Sequence, residues 1–141
     1  MLQALDEYPM KLQKIKYEEL NAKAQEMFNF HKVAAKLADY GFTSMWLNND
    51  WEGADFLAVH CDGSTFIKVQ LKGRLSFSQK YRNKNIHICF ISNGDVYLYP
   101  HDLILDKVES KISDKTWISQ GTWSTSKLSV EFKEILIEYL L

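Results

Sequence analysis

The chain has 141 residues, a formal net charge of −1 at pH 7 and only two cysteines, Cys61 and Cys89. This length predicts one domain over residues 1–141, large enough to bury a core without disulfides or a structural metal. The balanced charge excludes a polycation, and no apolar run approaches the roughly 20 residues that span a bilayer. Since no signal-peptide core or zinc-type cysteine spacing is present either, we expect a soluble, cytoplasmic protein with reduced thiols and no membrane contact.

A long N-terminal helix is the first predicted element. Residues 1–16 lack a periodic pattern, and we expect them to form a loosely held lead-in. From about Tyr17 to Tyr40 apolar residues recur at spacings of three and four, and Gly41 is placed to end the helix. We expect the apolar stripe of this helix to pack on a sheet. The stripe consists of Leu20, Ala24, Met27, Phe30, Ala34 and Leu37.

Four or five strands are predicted after the helix. Asn48-Asn49-Asp50 should end the first strand, and a tight turn at residues 61–64 should join the second to the third. Asn93-Gly94 is a strong hairpin signal between the fourth and the fifth, and Pro100 prevents easy continuation as a central strand. The predicted strands are Phe42–Leu47, Asp55–His60, Thr65–Lys72, Ile86–Ile91 and Val96–Tyr99.

The C-terminal part is predicted to be mainly helical. Asp102–Ser110 indicates a short helix, residues 113–128 are ambiguous, and Ser129 is a predicted N-cap for a helix to about Tyr139. The element order predicts a mixed α+β, or α/β, fold in which the N-terminal helix packs on a central mixed sheet, with helices at the C-terminus. We also expect an aromatic group to build an oligomer interface. Its members are Tyr97, Tyr99, Trp117 and Trp123.

Three polar residues on the second and third strands suggest chemistry. Gln70 and Lys72 are two apart in a strand, so they project from the same face, and the hairpin would bring Asp55 beside them. A carboxylate, an amide oxygen and an ammonium group suit a divalent metal and a phosphate. Each residue also has a simpler interpretation: Asp55 as a turn cap, Gln70 as a cross-strand partner and Lys72 as surface.

Positive charge is concentrated in one stretch of the chain. Residues 68–84 contain six cations and no acidic residue. Such a cluster beside a phosphate site predicts contact with nucleic acid, although lysines along a strand edge also prevent aggregation. The cations are Lys68, Lys72, Arg74, Lys80, Arg82 and Lys84.

The helix and the strands that follow it resemble the PD-(D/E)XK nuclease superfamily, which has the restriction-endonuclease-like fold. The resemblance rests on Gly53-Ala54-Asp55 in the second strand and on Gln70-Leu71-Lys72 in the third, and it covers roughly residues 18–99. A longer run, through residues 29–33, 51–56 and 69–74, also resembles a group of small uncharacterised bacterial proteins. The resemblance implies a metal-dependent nuclease that cuts phosphodiester bonds, with DNA as the expected substrate.

The motif assigns roles to individual residues. Asp55 matches the metal-binding carboxylate and Lys72 the motif lysine, while the first helix would add an acid, for which Glu26 is the best-placed candidate. Gln70 stands where the superfamily has Glu or Asp, and Ala54 stands where proline is usual. Because an amide brings no charge, Mg²⁺ or Mn²⁺ should bind more weakly. Glu26, Glu52 or a bound phosphate could supply the missing negative charge. The Leu71 backbone carbonyl could provide a further ligand.

Three hypotheses follow for function. The leading one is a metal-dependent endonuclease acting as a homodimer or higher homo-oligomer. The second is an inactive nuclease-fold module that binds nucleic acid through its basic stretch, and the third is a module that binds a protein partner. Dinucleotide, P-loop and serine-hydrolase chemistry are excluded because the glycine-rich motifs and the nucleophile elbow are missing.

Overall fold

The computed structural model describes residues 11–141, so most of the predicted lead-in lies outside the described residues. The N-terminal helix, α1, spans Ala22–Ala38, which is shorter than the predicted range from about Tyr17 to Tyr40. It begins there because the Asn21 side chain accepts a hydrogen bond from the Ala24 N–H at 2.9 Å. Its first part is preceded by a 3-10 turn at Tyr17–Glu19.

Within residues 11–141, seven strands form two sheets. The larger sheet has the order β1-β2-β3-β5-β6, and every neighbouring pair in it is antiparallel except β3 and β5, which are parallel. The smaller sheet pairs β4 with β7. The strands are β1 Phe42–Trp51, β2 Ala54–His60, β3 Phe66–Lys72, β4 Leu75–Ser78, β5 Ile86–Ser92, β6 Asp95–Pro100 and β7 Thr122–Thr125.

The larger sheet separates two hydrophobic clusters. On one face α1 packs through Phe30, Val33 and Leu37 against small and aromatic residues of β2 and β3. On the other face β5 and β6 pack against three helices and the small sheet. These helices are α2 His101–Ile112, α3 Lys115–Gln120 and α4 Val130–Leu136. The predicted architecture, a helix on a mixed five-stranded sheet with C-terminal helices, is confirmed.

Two predictions about the elements were wrong. The residues Asn48-Asn49-Asp50 do not end β1, because the strand continues to Trp51 with a register irregularity after Trp46. The aromatic residues predicted to form an oligomer interface belong instead to the core or pack against it. Tyr97, Tyr99 and Trp117 are buried and Trp123 packs on the same cluster, because the three C-terminal helices cover them.

The predicted helix cap and the predicted hairpin are confirmed. The Ser129 side chain caps α4 by accepting a hydrogen bond from the Phe132 N–H at 3.2 Å. Asn93 and Gly94 both have positive φ angles and join β5 to β6 in a tight hairpin. Both cysteines are free. None of the helices within residues 11–141 is long and apolar enough to cross a membrane.

Candidate active site

The hairpin of β2 and β3 brings the three motif residues together. Phe56 pairs with Val69, which places Asp55 at the level of Gln70 on the neighbouring strand. Asp55 Oδ2 accepts a hydrogen bond from the backbone N–H of Leu71 at 2.8 Å. Asp55, Gln70 and Lys72 line one cleft of about 320 Å³ at the edge of the sheet where β2 begins and β3 ends. We call it the Asp55 cleft.

Gly53 has a steric reason to precede the aspartate. Its φ angle is +86°, and a Cβ atom there would lie 2.8 Å from Ile86 Cδ1 and 3.3 Å from Tyr81 Cδ1. Any other residue would be strained in this turn and would push against the wall of the cleft. The glycine of the G-x-D pattern therefore allows β1 to turn tightly into β2, which places Asp55 at the cleft.

Asp50 is the site residue that the sequence did not reveal. It also lines the Asp55 cleft. It reaches the cleft because β1 continues past residues 48 and 49 as far as Trp51. The signal in the sequence was its short distance from Gly53 and Asp55, but the Asn-Asn-Asp run indicated a turn. The cleft thus holds two carboxylates.

The surroundings of Asp55 oppose its ionisation. Burial is the largest effect and raises its pKa above 3.8, whereas the hydrogen bond from Leu71 acts in the opposite direction. The carboxylates of Glu26 and Asp50 raise the pKa further, and the Lys72 ammonium lowers it. A half-buried carboxylate that is close to two other carboxylates, with their effect opposed by Lys72, is typical of functional sites.

Tyr81 forms an aromatic wall of the cleft and contacts two of its lysines. The side chain is 3% exposed, and its ring centroid lies 5.4 Å from Lys72 Nζ and 5.2 Å from Lys80 Nζ. These cation–π contacts hold both ammonium groups beside the carboxylates without neutralising them. Lys84 lines the same cleft. Of the cations predicted to contact nucleic acid, Lys80 and Lys84 therefore adjoin the candidate site.

Glu26 lies near the site but does not line it. This residue is exposed on α1, and its side chain forms an ion pair with Lys23 at 3.0 Å. The negative charge of Glu26 repels the Asp55 carboxylate and is one of the causes that raise the pKa of Asp55. The assignment of Glu26 as a catalytic acid stays a prediction.

Two of the predicted nucleic-acid-binding cations already have carboxylate partners. Lys68 Nζ lies 2.8 Å from Glu52 and 5.6 Å from the Trp51 ring centroid, and its side chain is only 11% exposed. The guanidinium group of Arg82 lies 2.7 Å from Glu109 and also contacts Asp106. Their role in binding stays a prediction, and these partners argue against it.

Arg74 lies apart from the Asp55 cleft, in a neighbouring depression of about 430 Å³. Lys127 and Lys133 line the same depression, and its lining contains no carboxylate. No local pattern connects these two lysines with Arg74, because they lie more than fifty residues further along the chain.

The donor groups of the Asp55 cleft fit a hydrated divalent cation. Mg²⁺ usually keeps several waters and takes one or two carboxylates together with substrate phosphate, which matches Asp50, Asp55 and the Gln70 amide oxygen. The N–H and C=O of one strand residue point to the same side, so the Leu71 carbonyl also faces β2. Within residues 11–141 no cluster of three or more His, Cys, Asp or Glu residues could enclose a metal.

Comparison with known proteins gives one structural likeness. No protein-family model and no curated protein matches the sequence. Among solved structures, the chain is similar to Hjc, a Holliday junction resolvase from the archaeal hyperthermophile Archaeoglobus fulgidus, at 11% sequence identity and a TM-score of 0.41. The alignment covers 52% of this chain and 76% of that chain.

Proposed function

We propose that the chain is a metal-dependent nuclease that hydrolyses phosphodiester bonds, with DNA as its expected substrate. The observation that supports this most strongly is the Asp55 cleft, where Asp55, Gln70 and Lys72 meet a second carboxylate, Asp50. The same three residues are those that the nuclease motif assigns to catalysis. Because Asp55 lies on a different strand, fifteen residues before Gln70, the convergence of these residues is a property of the folded chain.

Each residue has a definite role in this proposal. Asp50, Asp55 and Gln70 would hold Mg²⁺ or Mn²⁺, which when bound supplies charge that polarises a phosphate and lowers the pKa of water. The Lys72 ammonium donates hydrogen bonds to the phosphate or to the attacking water, and it stabilises negative charge in the transition state. Tyr81 holds this ammonium in place through the cation–π contact.

The flanking cations extend the anion-binding surface beyond the reacting phosphate. Lys80 and Lys84 line the cleft beside Lys72, so they can bind neighbouring phosphates and fix the register of the strand. Cutting both strands of a duplex is most simply achieved by two symmetry-related sites, and we therefore propose a homodimer. Light scattering on the purified protein would report its mass directly.

A second candidate function is a module that binds nucleic acid without cutting it. The specific observation that favours it is Gln70, because the neutral amide removes one negative charge from the motif. Binding alone would survive chelation of divalent cations, whereas cleavage would not. The two functions therefore separate in one experiment.

The test is cleavage of a substrate panel with Mg²⁺ or Mn²⁺, and with a chelator as the control. The panel contains supercoiled plasmid, linear duplex, a four-way junction, single-stranded DNA and RNA. We expect metal-dependent cutting of at least one substrate and a loss of roughly 100-fold or more in Lys72→Ala, since charge stabilisation of this kind contributes that much. Lys107→Ala, prepared identically and located on α2, should cut like the wild type. Equal rates in Lys72→Ala and the wild type would show a contaminating nuclease or a different site.

A further inference from the structure

A second concave surface adjoins the Asp55 cleft and shares Lys72 with it. This groove of about 590 Å³ lies between α1 and the end of the sheet. Tyr17, Phe28, Lys32 and Lys36 line its helix side, and Lys72 and Gly73 line its sheet side. We call it the α1 groove. Because Lys72 at the C-terminal end of β3 lines both surfaces, the groove and the cleft adjoin at this residue.

The charge of the α1 groove is entirely positive. Its lining includes Lys32, Lys36 and Lys72 and no carboxylate. Lys32 and Lys36 are four residues apart and neighbours on the helix, a spacing at which like charges destabilise a helix. Within residues 11–141 neither of them lies within 4 Å of a carboxylate oxygen. Lys32 and Lys36, together with Lys72 at the boundary with the Asp55 cleft, make this concavity a binding surface for a polyanion.

An aromatic ring stands beside these cations. Phe28 is 39% exposed, although it is a large apolar side chain, and Lys32 Nζ lies 5.1 Å from its ring centroid. Tyr17 contacts the Phe28 ring in an edge-to-face arrangement at 5.3 Å, and Asn29 donates a hydrogen bond to the Tyr17 hydroxyl at 2.9 Å. The exposed ring is thus held in one orientation by its neighbours.

We propose that the α1 groove binds an unpaired, single-stranded segment of the nucleic acid whose phosphodiester bond lies in the Asp55 cleft. This inference rests on the proposed function and adds the substrate class. Exposed aromatic rings bind bases by stacking, and lysines in the same groove bind the phosphates between them. In a duplex the faces of the bases are already stacked, so the Phe28 ring favours a strand with free bases.

The experiment measures binding by fluorescence anisotropy in the presence of a chelator, so that no cleavage occurs. The probes are single-stranded DNA, blunt duplex and a duplex with a single-stranded overhang. Lys32→Gln/Lys36→Gln should weaken single-strand binding roughly tenfold and reduce the salt slope by about 1.4, because each lost contact to a single strand contributes about 0.7. Lys107→Gln/Lys115→Gln, on α2 and α3, removes the same charge elsewhere and should leave single-strand binding unchanged.

Phe28 separates base stacking from general attraction of anions. Phe28→Leu keeps an apolar side chain on α1 but removes the ring, and it should weaken single-strand binding roughly 5-fold to 100-fold without changing the salt slope. Phe28→Tyr should bind like the wild type. Thermal unfolding followed by circular dichroism shows that each variant is folded before its affinity is compared.

The outcomes distinguish the groove from the active site. Single-strand affinity that is unaffected by both the lysine and the phenylalanine variants would overturn the groove assignment. A wild-type protein that binds and cuts duplex but ignores single strands and overhangs would overturn the groove and leave the proposed function standing. Binding to none of the probes, together with no cleavage of the panel, would overturn both.

Discussion

The surroundings of Asp55 destabilise its negatively charged form. Burial, Glu26 and Asp50 all raise its pKa, and they are opposed by the Leu71 N–H and by Lys72. A divalent cation would remove this cost, because it offsets both the loss of hydration and the repulsion between the carboxylates. The electrostatics of the site therefore favour metal binding, although one of the two usual motif acids is an amide.

The charge of the Asp55 cleft should set its metal requirement. Gln70→Glu adds a carboxylate and should lower the Mg²⁺ concentration for half-maximal cleavage by roughly tenfold, since ligand charge tunes affinity. Asp50→Asn removes one of the two carboxylates that line the same cleft and should raise that concentration. Cleavage rates of the two variants and the wild type across a Mg²⁺ titration check both shifts. Three identical titration curves would contradict the assignment of these side chains to the metal.

At the scale of elements, α2 fixes the segment that carries two residues of the cleft. Buried His101, the first residue of α2, accepts a hydrogen bond from the Ser78 N–H through Nε2 at 3.1 Å, and its Nδ1 lies 2.8 Å from Asp102. Asp102 in turn accepts a hydrogen bond from the Asn83 N–H at 2.8 Å. The turn that contains Lys80 and Tyr81 is thus attached to α2 at both of its ends.

His101→Phe should destabilise the fold by about 1–3 kcal/mol, because it leaves the buried Ser78 N–H without a partner. The effect should depend on pH. Burial lowers the pKa of His101 below 6.5, while the hydrogen bond to Asp102 acts in the opposite direction. The unfolded chain therefore takes up the proton first, and the contribution of His101 is complete above about pH 6.5 and declines as the pH falls through the folded pKa.

Urea unfolding of the wild type and His101→Phe at several pH values would measure this contribution. The difference in unfolding free energy should be largest above about pH 6.5 and should shrink in acid. Burial also lowers the pKa of His87, but that residue is present in both proteins and its effect cancels in the difference. A difference that stays constant with pH would mean that His101 does not titrate as described.

Periodicity and turn chemistry predicted most of the elements. The stripe of α1, the Asn93-Gly94 hairpin and the Ser129 cap all act within a few residues, so they can be recognised locally. The continuation of β1 through residues 48–50 could not be recognised from the local sequence, because pairing with β2 overrides the turn preference of these residues. Residues 113–128 were ambiguous for the same reason, since β7 exists only through its pairing with β4.

The part of the site that depends on the alternation of side chains between the two faces of a strand was predictable from the sequence. Gln70 and Lys72 share a face because they are two apart, and a short hairpin brings Asp55 to them. The partners of Lys68 and Arg82 were not predictable, because Glu52 and Glu109 lie 16 and 27 residues away in sequence. Long-range ion pairs of this kind depend on the packed fold and leave no local pattern.

At the scale of the whole molecule, the two surfaces assigned to nucleic acid meet at one edge of the larger sheet. The Asp55 cleft opens where β2 begins and β3 ends. Lys72, at the end of β3, belongs to both surfaces. Because β3 and β5 are parallel, the C-terminal ends of both strands lie at this end of the sheet, where Ile91 of β5 lines the α1 groove.

Whether Asp55 takes part in catalysis is decided by the cleavage rate of Asp55→Asn with the substrate that the panel identifies. The amide oxygen of Asn can still accept the hydrogen bond from the Leu71 N–H, so the fold should be kept while the charge is lost. We predict a folded protein whose Mg²⁺-dependent cleavage falls by roughly 100-fold or more, as expected when a metal-binding carboxylate and its charge are removed. Cleavage at the wild-type rate by the folded variant would contradict the account, because Asp55 would then take no part in the chemistry.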